Sequence, residues 1–123
     1  LRAFLLSTSN IPIGASPAVS GLIFPENAWS DINQPVLTLT GTQDHELGGL
    51  SWETRTEPFN NMKSGCNWLG VIDGATHMNF AGRGMSKRTE TLTVKIIREF
   101  LTGVQASDCK LLQQISGMTI SVK

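Results

Sequence analysis

Short apolar runs separated by polar, glycine-rich stretches set the rhythm of this chain. Three runs are compact and β-branched or aliphatic: RAFLLS at residues 2–7, VLTLT at 36–40 and NWLGVI at 67–72. Each is followed by turn residues, as expected of a short buried strand. A fourth pattern has the helical period instead. From Ser86 as N-cap, KRTETLTVKIIREFLTG at 87–103 puts Leu92, Ile96, Ile97, Phe100 and Leu101 on one face, and Gly103 is expected to close it.

Between these elements the pattern is punctuated. Residues 8–25 hold three prolines and two glycines among small residues, and read as a long loop or lid-like connector. Residues 25–32 suit a short helix with Pro25 in its first turn. The segment WETRTEPFNNM should give one helical turn, a break at Pro58, and a second helical piece. GATHMNFAGRG at 74–84 reads as a glycine-rich loop, SDCKLLQQI as a short helix and MTISV as an extended tail. Strand and helix therefore alternate, which predicts an α/β fold of about three parallel strands with crossover helices. Three such strands leave sheet faces and an edge uncovered, so the sheet is expected to be incomplete. Residues 1–123 are read as a single partial domain. The opening on Leu1, directly into an apolar run, looks like the interior of a longer protein.

In a parallel sheet of this kind, functional groups gather at the carboxyl ends of the strands. Asp44 lies four residues past VLTLT and His77 five past NWLGVI. If the two strands are neighbours, carboxylate and imidazole emerge at the same edge. They could then form an orienter–base pair, the Asp fixing the tautomer and leaving Nε2 to accept a proton. The rival readings are bland: Asp44 as a turn residue, His77 as a structural loop histidine. Asp73 is a second acid, but beside Gly74 it reads as a turn former. His45 and Glu46 beside Asp44 suggest a metal only at first glance, since adjacent turn residues seldom converge on one ion. Trp52, Met78 and Phe80 are candidate lining for an apolar substrate pocket.

Composition narrows the classes. With 123 residues, 40% of them apolar and 16% charged, the chain suits one folded domain that buries about two thirds of its unfolded surface. Ten basic residues balance ten acidic ones, which gives no electrostatic case for nucleic acid or an anionic membrane. No apolar run approaches the roughly 18–20 residues of a membrane span. Cys66 and Cys109 are too few for a disulfide framework and lie in no metal spacing; they read as ordinary half-buried thiols, and the compartment stays open. Neither a G-x-G-x-x-G nor a P-loop supports a nucleotide-binding domain.

The stretch QPVLTLTGTQDHE, followed by EPF, WLGVIDGATHMNFAGR and TLTVKIIREFLTG, resembles the C-terminal half of an α/β-hydrolase. It is most similar to the dienelactone hydrolase-like, cutinase-like and platelet-activating-factor-acetylhydrolase-like esterases. The likeness runs over nearly the whole chain from Arg2, most weakly at 8–30. It implies that Asp44 is the acid and His77 the base of a Ser-His-Asp triad, that the substrate is a carboxylic ester or a lactone, and that no cofactor or metal is needed. The family's nucleophile sits on a G-x-S-x-G turn before the acid. Here GASPA at 14–18 has Ser16 in the wrong slot, and AVSGL at 18–22 lacks the first Gly. The oxyanion-hole loop is also missing. The chain alone is therefore expected to be inactive and to need an N-terminal half, or to self-associate through its bare edge. The alternative is a non-catalytic hydrolase-fold remnant used for binding.

Overall fold

The computed structural model describes residues 4–7, 29–45, 51–80, 83–84, 86–110 and 113–123. The expected lid-like connector at 8–25 and both serine stretches lie outside the described residues. Of the helix expected at 25–32, only the last four residues are described, and Trp29–Asp31 form a turn. The described strands are β1 (Phe4–Ser7), β2 (Val36–Gln43), β3 (Asn67–Thr76) and β4 (Met118–Val122). They form one sheet in the order β1-β2-β3-β4. β1, β2 and β3 run parallel, and β4 returns antiparallel to β3. The fold is a small mixed sheet with helices, an α/β arrangement. Residues 118–122 are extended as expected, and they pair as a strand of the sheet. Asn67 and Lys123 exchange both backbone hydrogen bonds, at 3.0 and 2.9 Å, closing that edge pairing.

Every residue from Val36 to Gly41 and from Asn67 to Ile72 is buried, as strands covered on both faces should be. One face carries Leu37, Leu39, Trp68 and Ile72, joined by Met118 and Ile120, and packs on helix α3 (Lys87–Gln105) through Leu92, Ile96 and Phe100. Trp68 and Phe100 meet edge to face, with ring centroids 5.7 Å apart. On the opposite face Leu69 and Val71 pack with Phe59 of helix α1 (Glu57–Asn61) and with Trp52, which opens the 3₁₀ helix Trp52–Thr56. The break expected at Pro58 falls slightly earlier. The 3₁₀ turn gives way to α1 at Glu57, and Pro58 occupies the first turn of α1, where its missing N–H costs nothing.

Helix α3 begins as its sequence predicts: the Ser86 hydroxyl accepts a hydrogen bond from the Thr89 N–H at 3.1 Å. It ends later than expected. Gly103 lies inside the helix, and Ser107 takes the left-handed conformation at φ 54°. The Asp108 N–H reaches the Gly103 carbonyl at 2.9 Å, a Schellman closure. The glycine matters for a different reason than termination, since a Cβ there would lie 2.8 Å from the Asp108 carbonyl oxygen. Leu101, placed by periodicity on the inner face, is exposed. The segment 107–115 shows no helix in its described residues. Among the described residues no helix is long and apolar enough to cross a membrane.

The cysteines are not thiols. Cys66, just before β3, and Cys109, just past α3, are joined by a disulfide with Cα atoms 5.4 Å apart across 43 positions of sequence. The spacing of the two cysteines carries no sign of the bridge, because they meet only once α3 has carried the chain back to the start of β3. The Trp68 indole N–H donates to the Cys109 carbonyl at 2.9 Å, tying the bridge to the core.

Candidate functional site

The two strands with the expected chemistry are neighbours. β2 and β3 pair in register from Val36–Asn67 to Gly41–Ile72, and the pairing then slips. The next partners are Gln43 and Thr76: two residues advance on β2 while four advance on β3. Asp73, Gly74 and Ala75 bulge out opposite Thr42. Gly74 adopts φ +78°, and its N–H donates to the Thr42 hydroxyl at 2.8 Å. Bulges of this kind re-aim the residues that follow. Without the two extra residues, Ala75 would stand level with Asp44; with them, His77 does. The glycine-rich loop expected at 74–84 is therefore strand through Thr76, then a single helical turn, α2 (His77–Phe80).

The bulge is made possible by close approach. A Cβ on Gly41 would lie 2.5 Å from the Ala75 Cβ and overlap the Ala75 carbonyl oxygen. Gly41→Ala must therefore push β2 from β3 between the acid and the histidine. It is expected to cost about 1–3 kcal/mol of stability and to lengthen the Asp44–His77 contact. Chemical denaturation together with the chemical shifts of the His77 ring would check both.

Asp44 is fully buried, with one hydrogen-bond donor at each carboxylate oxygen and a cation nearby. Its N–H turns back to the Gly41 carbonyl at 3.0 Å, which folds the side chain over β2. The Thr40 hydroxyl donates to Oδ2 at 2.9 Å. His77 Nδ1 lies 3.0 Å from Oδ1, and Arg55 Nε lies 3.7 Å from the same oxygen. An ionised carboxylate only accepts hydrogen bonds, so the neutral His77 ring carries its proton on Nδ1 and presents Nε2 as the acceptor. The His77 side chain is 38% exposed while that of Asp44 is wholly buried. Nε2 has no hydrogen-bond partner among the described residues. A buried carboxylate behind an imidazole with an outward acceptor can take a proton from a group at the surface and stabilise the resulting charge.

Asn79, buried, holds the histidine turn in place. Its Oδ1 accepts from the Thr76 N–H at 2.9 Å, and its Nδ2 donates to the Gly84 carbonyl at 2.9 Å. Thr40, Arg55 and Asn79 were not singled out from sequence. Thr40 carried a signal, a hydroxyl four residues before the acid on a short turn. Arg55 and Asn79 carried none that separates them from ordinary polar residues.

The three pocket candidates are not gathered in one place. Trp52 is half-buried in the cluster with Phe59, Leu69 and Val71. Phe80 packs against the core on the other face of the sheet, and Met78, beside His77, is 46% exposed. His45 is exposed, and its charge bears on Glu53, whose carboxyl is held below the usual range mainly by a hydrogen bond from the Ser51 side chain. Among the described residues no group of three His, Cys, Asp or Glu side chains could hold a metal ion. A concavity on the exposed side of α3, lined by residues such as Lys87, Glu90, Val94 and Arg98, is remote in chemistry from the Asp–His pair and carries mixed charge. Comparison of the chain with protein-family models, with curated proteins and with solved structures finds no match.

Proposed function

We propose that this chain is the C-terminal portion of an α/β-hydrolase-fold serine hydrolase, acting on carboxylic esters or a lactone. One observation carries the reading: the 3.0 Å contact between His77 Nδ1 and the buried Asp44 carboxylate, at the carboxyl ends of adjacent parallel strands. That is where catalytic groups collect in open parallel sheets. The order strand, Asp, helix, strand, His, helix matches the second half of the Ser…Asp…His order of that fold. The nucleophile is taken to come from a segment outside these 123 residues, because no G-x-S-x-G turn occurs within them.

In this mechanism the serine hydroxyl attacks the ester carbonyl as His77 Nε2 removes its proton. Asp44 holds Nδ1–H and balances the imidazolium charge. Collapse of the tetrahedral intermediate breaks the bond to the alkoxy oxygen, and His77 returns the proton to the departing alcohol. Water then attacks the acyl-serine, giving up its proton to His77, and the acid leaves as serine is restored. No metal or cofactor takes part in this scheme. The missing serine turn also supports a second reading, a hydrolase-fold remnant that binds without catalysis. Reaction with a serine-directed fluorophosphonate separates the two: the first reading requires a single covalent adduct on the protein from its native source, the second none.

A further inference from the structure

We propose that Arg55 is a positioning residue of this site, its guanidinium compensating the buried Asp44 carboxylate that meets His77. The inference rests on the reading that Asp44 and His77 work as an orienter–base pair. Arg55 lies in the 3₁₀ helix Trp52–Thr56, which packs on β2, and its side chain is only 6% exposed. Its Nε sits 3.7 Å from Asp44 Oδ1, the same oxygen that meets His77 Nδ1 at 3.0 Å. The guanidinium and the imidazole thus converge on one oxygen of the most buried group of the three, the carboxylate.

Two opposite effects follow from this convergence. A guanidinium beside the buried carboxylate compensates its negative charge, and that charge is what holds the Nδ1–H tautomer of the imidazole. The same cation repels an imidazolium held at the same oxygen. Burial decides between them. Asp44 has no exposed surface, and a buried carboxylate stripped of this cation loses its charge compensation, which is far more costly than partial repulsion between two cations that share its oxygen. The 3.7 Å separation is also too long for a hydrogen bond, so Arg55 does not displace the Thr40 and His77 donors from their lone pairs. Arg55 supplies charge, and the two closer donors supply direction.

The test uses the full protein carrying Arg55→Gln, Arg55→Lys, Asp44→Asn, or Asp44→Asn with Arg55→Gln. Arg55→Gln is expected to lower kcat for ester hydrolysis by about 10- to 100-fold, the scale of a lost interaction with a charged group, with KM within about twofold. Arg55→Lys should recover most of that loss because the charge is retained. In the Asp44→Asn background Arg55→Gln should cost less than about twofold, since the carboxylate it serves is gone. Unchanged kcat in Arg55→Gln, equal losses in the two backgrounds, or a Lys variant no better than Gln would overturn the proposal. If the unaltered protein hydrolyses no ester, the hydrolase reading fails, and urea unfolding of the same proteins still decides the role of Arg55. The midpoint drop caused by Arg55→Gln should then shrink by at least about half in the Asp44→Asn background, and equal drops would overturn it. Should Arg55→Gln alone not fold, a folded double variant supports the pairing and an unfolded one contradicts it.

Discussion

Asp44→Asn is expected to lower ester turnover by about a thousandfold, the factor that corresponds to roughly 4 kcal/mol of charge–charge stabilisation at about 4 Å in a partly screened site. The donors around the carboxylate set the form of the loss. Arg55 and His77 Nδ1 both face Oδ1, while among the described residues Oδ2 meets only the Thr40 hydroxyl. An asparagine here places its carbonyl oxygen toward the two cationic or N–H donors and its NH₂ toward Thr40, whose hydroxyl can turn to accept. The His77 tautomer is therefore retained, and what disappears is the negative charge that balances the imidazolium. The loss should stay below the roughly 10⁴-fold typical of a reversed tautomer. It should fall on kcat, with KM changed little, because the charge on His77 exists only after proton transfer. A variant as active as the unaltered protein would remove Asp44 from the mechanism.

Replacing both cysteines, Cys66→Ser with Cys109→Ser, is expected to destabilise the fold by about 4 kcal/mol, the loop-entropy value for a bridge spanning some 44 residues. For a domain of this size that is a drop of roughly 15 °C in Tm. The loop closed by the bridge contains all of β3, α2 and α3, so in the oxidised unfolded chain the whole histidine-bearing half is confined. The stabilisation acts mainly through that unfolded state, and the native contacts should survive the substitution. Trp68, which donates to the Cys109 carbonyl and packs on Phe100, reports on this. Its environment should be native-like below the new midpoint, while the urea m-value rises as the unfolded chain expands. A Tm shift below about 3 °C would mean that the bridge does not constrain the chain. A bridge of this kind also points to an oxidising compartment, where disulfides form and persist.

The parts of the fold legible in the sequence are those set by local pattern. VLTLT and NWLGVI are continuous buried runs, and in the structure they lie at the centre of a covered sheet. Ser86 and the Leu92, Ile96, Phe100 spacing place α3 because capping and amphipathicity act within one turn. Asp44 and His77 could be paired in advance because both follow strands, and strand ends define an edge. What remained hidden depends on encounters between distant segments. The disulfide requires α3 to bring Cys109 to Cys66, and the extended segment 118–122 finds its antiparallel place only where β3 offers a free ladder. The Asp73–Ala75 bulge had a partial sign in its Asp-Gly pair, which read as a turn since a bulge shows only in register with Thr42. Arg55 had no sign, because nothing local distinguishes a buried arginine from an exposed one. The end of α3 misled for a related reason: Gly103 answers a close approach by Asp108 and not a left-handed cap, which Ser107 supplies.

The central claim is that Asp44 and His77 serve a serine nucleophile, and intact mass after fluorophosphonate treatment of the protein from its native source tests it most directly. The account predicts one adduct, on a serine that lies in a polypeptide larger than the 13.3 kDa of this sequence, and its suppression in His77→Ala. An unlabelled protein, or labelling unaffected by loss of His77, would contradict it.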